Sequence, residues 1–234
     1  MAALRSFIAV ASINNLAVSK VVEGRHEEAV EIFMGALSEL KAAFAKDPET
    51  DPRSMDAATV NQSAAWSNRD LVQLGPSYPE WDGSFSFNNS LFLLPTEYMY
   101  PKDSVSLVTM VLLFNLGSIR HQLGLVVGSS LELQRAMKLY ELALASLENI
   151  PACGDWNSMV WRMQCCLCNN MGHVFEQNGN FQQSSRCLEW LIDTLDGMHD
   201  WYSGEGDLDY DDLDFYYPYF GMPKERWFNS APAA

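Results

Sequence analysis

The chain has 234 residues, of which 48% are hydrophobic and 19% charged, a composition typical of a folded domain rather than a disordered chain. A formal net charge of −15 repels phosphate groups over most of the surface, so nucleic acid and anionic membranes are poor candidate partners. No uncharged apolar run reaches the roughly 18 residues that a membrane-spanning helix needs. We therefore expect a soluble protein with no membrane span.

The cysteines favour a reducing compartment. Their number is five, which is odd, and Cys165, Cys166 and Cys168 lie within four residues of one another. The first residues carry an apolar run but lack the small-residue cleavage site of a signal peptide. The sequence therefore predicts an intracellular, cytoplasmic protein in which this first segment is part of the mature fold.

Three segments share the same small and apolar residues at matched spacing. They begin with the triplets Asn-Leu-Ala at 15–17, Asn-Leu-Gly at 115–117 and Asn-Met-Gly at 170–172. Each triplet is followed by a glycine at the same offset: Gly24, Gly124 and Gly179. The middle segment has about seven extra residues after this glycine, by the offsets of its apolar positions.

This spacing predicts a helical hairpin in each segment. The small residue of each triplet lies where a second helix must cross closely, and the glycine ends the first helix because it tolerates the left-handed conformation. Small and large apolar residues then recur at helical spacing, as in Ala29, Phe33 and Ala36. In the middle segment, Ser129 and Glu132 have the S-x-x-E form of a capping box, which predicts the start of its second helix and leaves Leu125–Gly128 as a loop or an extension of the first helix.

These segments resemble the tetratricopeptide repeat, which places Asn-Leu-Gly in its first helix, Gly and an aromatic residue at the turn, and Ala, an aromatic residue and Ala-Leu in its second helix. The aromatic residue common early in the first helix is replaced by Ile13, Leu113 and Cys168. The resemblance covers roughly half of the chain and implies an all-α fold, a TPR-like α-solenoid of antiparallel hairpins. The predicted hairpins are residues 1–46, 103–150 and 151–196.

Residues 47–102 form a predicted insert between the first two hairpins. Six prolines, from Pro48 to Pro101, exclude one long helix there. Apolar and polar residues alternate from Ser84 to Leu93, which predicts a strand, or a hairpin that turns at 88–89 (Asn-Asn). We expect this insert to pack on the helices.

Residues 197–234 form a predicted acidic, aromatic tail. Nine carboxylates between Asp193 and Asp214 occur with no Lys or Arg among them, and ten aromatic residues follow from Trp201 to Phe228. Aromatic surface of this density favours burial, so we expect part of the tail to dock on the solenoid as a cap, or on a partner. A calcium loop is excluded because Asp212 stands where glycine is required.

The resemblance also implies a peptide-binding groove, because first helices line the concave face in proteins with this repeat. The residues that would line it are Asn14, Asn15 and Val18; Phe114, Asn115, Ser118, His121 and Gln122; and Asn169, Asn170, His173 and Gln177. An asparagine amide both donates and accepts, so it can hold an extended peptide backbone without reading its sequence. The alternative is that the asparagines bond neighbouring helices within the solenoid.

Three other kinds of site are disfavoured. The basic residues with which chaperone-tail-binding members of the family clamp a terminal carboxylate are replaced by Asn14, Cys166 and Asn170. The cysteine cluster lacks a second ligand pair at metal-site spacing, so cysteines buried at a helix crossing are the better interpretation. His173 and Glu176 have a spacing common on any exposed helix face. We expect no metal, no cofactor and no catalysis.

The sequence therefore predicts a protein-interaction scaffold, not an enzyme, that binds a protein or peptide segment in its groove. Two alternatives stay open. The chain could be a structural subunit of a larger assembly whose groove is filled by its own tail, or an enzyme centred on His173 and the cysteines. The sequence identifies neither the partner nor the oligomeric state.

Overall fold

The computed structural model describes residues 2–45, 73–74, 91–94, 105–148, 150 and 156–205. These residues form six helices and a pair of two-residue strands. The elements are α1 (Ala2–Val22), α2 (His26–Ala45), β1 (Gln73–Leu74), β2 (Leu91–Phe92), α3 (Val105–Val127), α4 (Ser130–Leu147), α5 (Trp156–Gln177) and α6 (Phe181–Glu205).

The helices pack as consecutive antiparallel pairs, α1 with α2, α3 with α4 and α5 with α6. Further contacts join α2 to α3 and α4 to α5, and α3 also touches both α1 and α5. The predicted all-α class and the paired helices are confirmed, whereas the continuous solenoid stays a prediction. At the end of the third pair, α6 continues into the predicted tail as far as Glu205.

Three glycines in the left-handed conformation end the first helix of each pair. They are Gly24 with φ 77°, Gly128 with φ 62° and Gly179 with φ 71°. In each case the next residue donates its backbone N–H to a carbonyl five residues earlier, as Ser129 does to Gly124 at 2.9 Å, and this bond satisfies one of the carbonyls left open at a helix end.

The prediction that Gly124 ends the first helix of the middle pair is wrong. Helix α3 continues for about another turn to Val127, and Gly124 lies inside it. A Cβ at Gly124 would come within 2.8 Å of Leu133 Cδ2, so this glycine allows α4 to approach instead of ending the helix. The lengthened turn predicted for this segment is thus partly an extension of α3.

The predicted capping box at the start of α4 is confirmed on its serine side. Ser129 is the N-cap residue in an extended conformation, and its side chain accepts a hydrogen bond from the backbone N–H of Glu132 at 3.4 Å. The Glu132 carboxylate accepts from Arg120 on α3 at 2.8 Å. The start of α4 is thereby joined to the preceding helix.

Helix α3 lies at the centre of the core, and residues 111–119 are all buried. It is long and apolar enough to cross a bilayer, and 67% of its most apolar window is buried inside the fold, as in the core helix of a folded domain. At its middle, a Cβ on Gly117 would lie 2.7 Å from Tyr140 Cε1. The predicted small residue at a close crossing is confirmed here.

The predicted strand in the insert is observed at β2, which pairs with β1 in antiparallel register, Leu91 opposite Leu74 and Phe92 opposite Gln73. The predicted turn at 88–89 lies outside the described residues. So does the tail after Glu205, including the aspartates excluded as a calcium loop and the aromatic residues from Tyr210 to Phe228 that were predicted to form a cap.

Candidate functional site

Three asparagines on the first helices of the first two pairs converge on one short segment of the insert. Asn14 and Asn15 come from α1, and Asn115 comes from the middle of α3. Asn14 and Asn115 are fully buried, and Asn15 is half-buried. We call these three residues the asparagine clamp, and the segment that they hold is Leu91–Leu94.

The amide of Asn115 makes two bonds to the backbone of a single residue. Its Oδ1 accepts from the N–H of Phe92 at 2.8 Å, and its Nδ2 donates to the carbonyl of Phe92 at 2.7 Å. Asn14 donates to the same carbonyl at 3.0 Å, and Asn115 also donates to Asn14 Oδ1 at 3.0 Å. Every polar group of the Phe92 backbone is therefore satisfied by side chains in a buried place, where an unpaired group would be costly.

Asn15 repeats the arrangement two residues further along the segment. Its Oδ1 accepts from the N–H of Leu94 at 2.8 Å, and its Nδ2 donates to the Leu94 carbonyl at 2.7 Å. In an extended chain the backbone groups of alternate residues point to the same edge. The clamp therefore forms hydrogen bonds along one backbone edge of Leu91–Leu94, as a neighbouring β-strand would.

The side chains of the held segment enter the core. Leu91, Phe92 and Leu94 are buried, while Leu93 is half-buried. The Phe92 ring meets the Phe114 ring edge-on, with centroids 5.3 Å apart and planes at 66°, an arrangement that aromatic pairs favour. The backbone is thus bound by amides and the side chains by apolar contacts.

A second group of polar residues closes the contact between α3 and α5. Asn170 donates to the Tyr140 hydroxyl at 3.2 Å and lies 3.5 Å from Ser118 Oγ, and Asn169 donates to Asn170 Oδ1 at 3.0 Å. Tyr140, from α4, is fully buried, and this burial raises the pKa of its hydroxyl. We call Ser118, His121, Tyr140, Asn170 and His173 the tyrosine cluster.

Two histidines extend the tyrosine cluster towards the surface. His121 Nε2 lies 3.0 Å from His173 Nδ1, His121 Nδ1 lies 3.3 Å from the Tyr140 hydroxyl, and the Gln177 amide nitrogen lies 3.1 Å from His173 Nε2. Because an amide nitrogen donates, this placement makes His173 Nε2 an acceptor and leaves His173 Nδ1 to donate to His121 Nε2. Burial, with a smaller contribution from His173, lowers the pKa of His121 to about 3. His121 is therefore neutral at physiological pH.

The cysteines of α5 are buried, and so is Cys187 of α6. Burial raises the pKa of Cys166 and Cys168 to about 12 and that of Cys187 to about 11, and it raises the pKa of Cys165 as well. A thiol that stays protonated is a poor nucleophile and a poor metal ligand. Within the described part of the chain, no three His, Cys, Asp or Glu residues are placed to hold a metal ion.

The residues predicted for the groove thus fall into two groups. Asn14, Asn15 and Asn115 hold the chain's own extended segment, whereas Ser118, His121, Asn170 and His173 bond to neighbouring helices. Val18 and Phe114 are buried in the core, Asn169 is fully buried, Gln122 is half-buried and Gln177 is exposed. Their role in binding a separate peptide stays a prediction.

Sequence reasoning did not identify Tyr140, Phe92 and Leu94 as parts of these sites. Tyr140 stands at the aromatic position of a second helix, which was interpreted only as core. The alternating pattern of residues 84–93 indicated a strand, but nothing in it indicated which helices that strand would meet.

Comparisons with protein-family models, with curated proteins and with solved structures return no match for this chain. The asparagine clamp and the tyrosine cluster are therefore the features from which a function can be inferred.

Proposed function

We propose that this chain is a protein-interaction scaffold, a TPR-like α-solenoid in which the asparagine clamp binds an extended segment of a partner protein. The observation that supports this function is the set of five hydrogen bonds by which three asparagine side chains hold the backbone of Phe92 and Leu94. An amide that pairs with both the N–H and the carbonyl of one residue accepts any extended chain, because every residue other than proline offers the same two groups.

In this conformation the occupant is part of the same chain, so a partner segment must replace Leu91–Leu94. The exchange preserves the number of hydrogen bonds, since an incoming strand offers the same N–H and carbonyl groups. The cost of the exchange is set by the tether, which gives the internal segment a high effective concentration at the clamp. A partner therefore binds weakly unless the internal segment is weakened.

The second candidate function is a structural one, in which the clamp is filled permanently by residues 91–94 and the chain is a subunit of a larger assembly. The full burial of Phe92 and its ring contact with Phe114 favour this candidate. It differs from the prediction made for the tail, because the occupant of the clamp is the insert.

A competition experiment separates the two functions. The full chain carrying Phe92→Ala, whose internal segment binds more weakly, is titrated into a fluorescein-labelled peptide with the sequence of residues 88–95, and fluorescence anisotropy is recorded. We expect saturable binding, weakened at least about 10-fold by adding Asn15→Ala, because the two bonds to the Leu94 backbone are lost. Leu16→Ala, an exposed neighbour on α1, is the matched control and leaves the affinity unchanged.

A folded Phe92→Ala chain that binds no peptide excludes the scaffold function and leaves the structural one. If circular dichroism shows that this variant is unfolded, hydrogen exchange on the unmodified chain decides instead. Excess peptide then accelerates exchange at the Phe92 and Leu94 amides if it displaces the internal segment, and leaves their exchange unchanged if the segment is permanent.

A further inference from the structure

We infer that the asparagine clamp selects partner strands carrying an aromatic residue and, two residues later, a large aliphatic residue, within an uncharged extended stretch. This inference rests on the proposed function and adds its specificity. It follows from Leu91–Leu94, because the backbone contacts of this segment fix a register and its side chains occupy unequal environments.

The clamp sets the register because it bonds only alternate residues. Asn115 takes both backbone groups of Phe92, and Asn15 takes both backbone groups of Leu94. A slip by one residue moves every side chain of an extended strand to the opposite face. The two residues held by the clamp are therefore also the two whose side chains share one face.

The position of Phe92 is suited to a ring. Its side chain is fully buried against the edge of Phe114, and Phe114 in turn lies 5.9 Å from the ring of Tyr140. Tyr140 is itself fully buried, so the ring behind Phe114 has little room to move. A smaller side chain at this position leaves a cavity that these rings cannot readily close.

The other positions of the segment are less alike than their sequence, Leu-Phe-Leu-Leu, suggests. Leu94 is buried like Phe92, whereas Leu93 is half-buried, so the position of Leu93 tolerates a wider range of side chains. The described contacts of the segment are with amides and apolar groups, so a charged side chain in place of Leu91, Phe92 or Leu94, which are all buried, would be desolvated without an opposite charge.

The opposite edge of the segment is also paired, since Leu91 lies opposite Leu74 of β1. A strand that replaces Leu91–Leu94 is thus added between β1 and the two helices, as in recognition by β-augmentation. This edge contributes further backbone bonds and favours an extended partner over a helical one.

A series of peptides tests the specificity. Four labelled peptides are titrated into the full chain carrying Phe92→Ala. They are the sequence of residues 88–95, the same peptide with the phenylalanine and the following leucine exchanged, one with Phe→Ala, and one with the leucine at the Leu93 position replaced by serine. We expect the exchanged and Phe→Ala peptides to bind at least about 10-fold more weakly, and the serine peptide to bind within about 3-fold of the parent.

Substitutions in the protein separate side-chain from backbone recognition. Adding Phe114→Leu reduces the difference in affinity between the parent and the exchanged peptide. Adding Asn15→Ala weakens the binding of both peptides by the same factor. If the Phe114→Leu chain is unfolded by circular dichroism, the comparison of the parent and exchanged peptides alone decides the question.

Equal affinity for the parent and the exchanged peptide overturns the inferred specificity and leaves the proposed function standing. Failure of every peptide to bind a folded Phe92→Ala chain overturns the proposed function itself. The two failures are therefore distinguishable in one set of titrations.

Discussion

Asparagines form both the contact between α1 and α3 and the contact between α3 and α5, but they bond to different groups in the two contacts. Asn15, Asn115 and Asn170 stand at the same place in their triplets. In the first contact a backbone segment lies between the helices, and the asparagines bond to it. In the second, Asn170 bonds to Tyr140 and Ser118, and the helices meet through side chains. Asparagines at the same place in their triplets therefore have different partners, because different groups lie within about 3 Å of their amides.

The largest expected effect is on the first contact. Asn115→Ala removes the partners of the Phe92 N–H and of Asn14 Oδ1 and one of the two donors to the Phe92 carbonyl, all of them buried, and should lower the free energy of unfolding by about 4 kcal/mol. Asn15→Ala, at a half-buried position, removes the two bonds to the Leu94 backbone and one bond to Asn14, and should cost about 2 kcal/mol. Urea unfolding followed by circular dichroism measures both. Equal losses would show that burial does not distinguish the two asparagines.

A substitution on α3 tests its close crossing with α4, which positions Tyr140 for the second contact. Gly117→Ala places a methyl group 2.7 Å from Tyr140 Cε1, and since Tyr140 is fully buried the ring cannot move away freely. We expect a loss of about 3 kcal/mol in the free energy of unfolding. Gly35→Ala is the matched control, because it lies in α2 with nothing within 4 Å of the new Cβ, and should stabilise the chain by about 0.5 kcal/mol. A stable Gly117→Ala chain contradicts the close crossing.

The second contact can be weakened while the first is left intact. Tyr140→Phe removes the hydroxyl that bonds Asn170 and His121, and should cost about 2 kcal/mol because buried donors lose their partner. Hydrogen exchange at the Phe92 amide, compared after correction for global stability, should be the same as in the parent chain. Faster local exchange at Phe92 would mean that the two contacts are coupled.

The smallest expected effect is a dependence of stability on pH. The pKa of His121 is about 3 in the folded chain and 6.5 for a free histidine side chain, so below pH 6.5 the unfolded chain binds a proton that the folded chain does not. Stability contributed by this group is therefore lost as the pH falls, by about 1 kcal/mol between pH 7 and pH 5.5. Carboxylates contribute to the pH dependence of stability in the parent chain and in the His121→Gln variant alike. The quantity to measure is therefore the difference between the two pH profiles. An identical pH profile in that variant excludes His121 as the cause.

Local features of the fold could be predicted from the sequence, because short-range chemistry determines them. The Ser129 cap follows from residues close to one another in the chain, and the crossing at Gly117 follows from the small residue that recurs at the same place in each triplet. The end of α3 was left open between a loop and a helix extension over residues 125–128, because Gly124 and Gly128 offer the same conformational freedom, and packing against Leu133 keeps Gly124 inside the helix.

The candidate site was predicted less completely. Asn14, Asn15 and Asn115 hold an extended backbone and Asn170 bonds neighbouring helices, so both interpretations of the asparagines describe part of the structure, and the sequence did not indicate which segment would be held. Asn15 bonds a residue 79 positions away and Asn115 one that is 23 away, and no periodicity in the sequence encodes such a pairing. The division of the asparagines between the two contacts therefore needed the structure.

The sequence separation between the residues of the asparagine clamp also indicates when the clamp forms during folding. Asn14 and Asn115 are 101 residues apart, whereas Arg120 and Glu132, which join α3 to α4, are 12 apart. Closing a long loop costs more entropy than closing a short one. The helix pairs are therefore expected to assemble first, and the joining of α1 to α3 around Leu91–Leu94 to be among the last steps of folding.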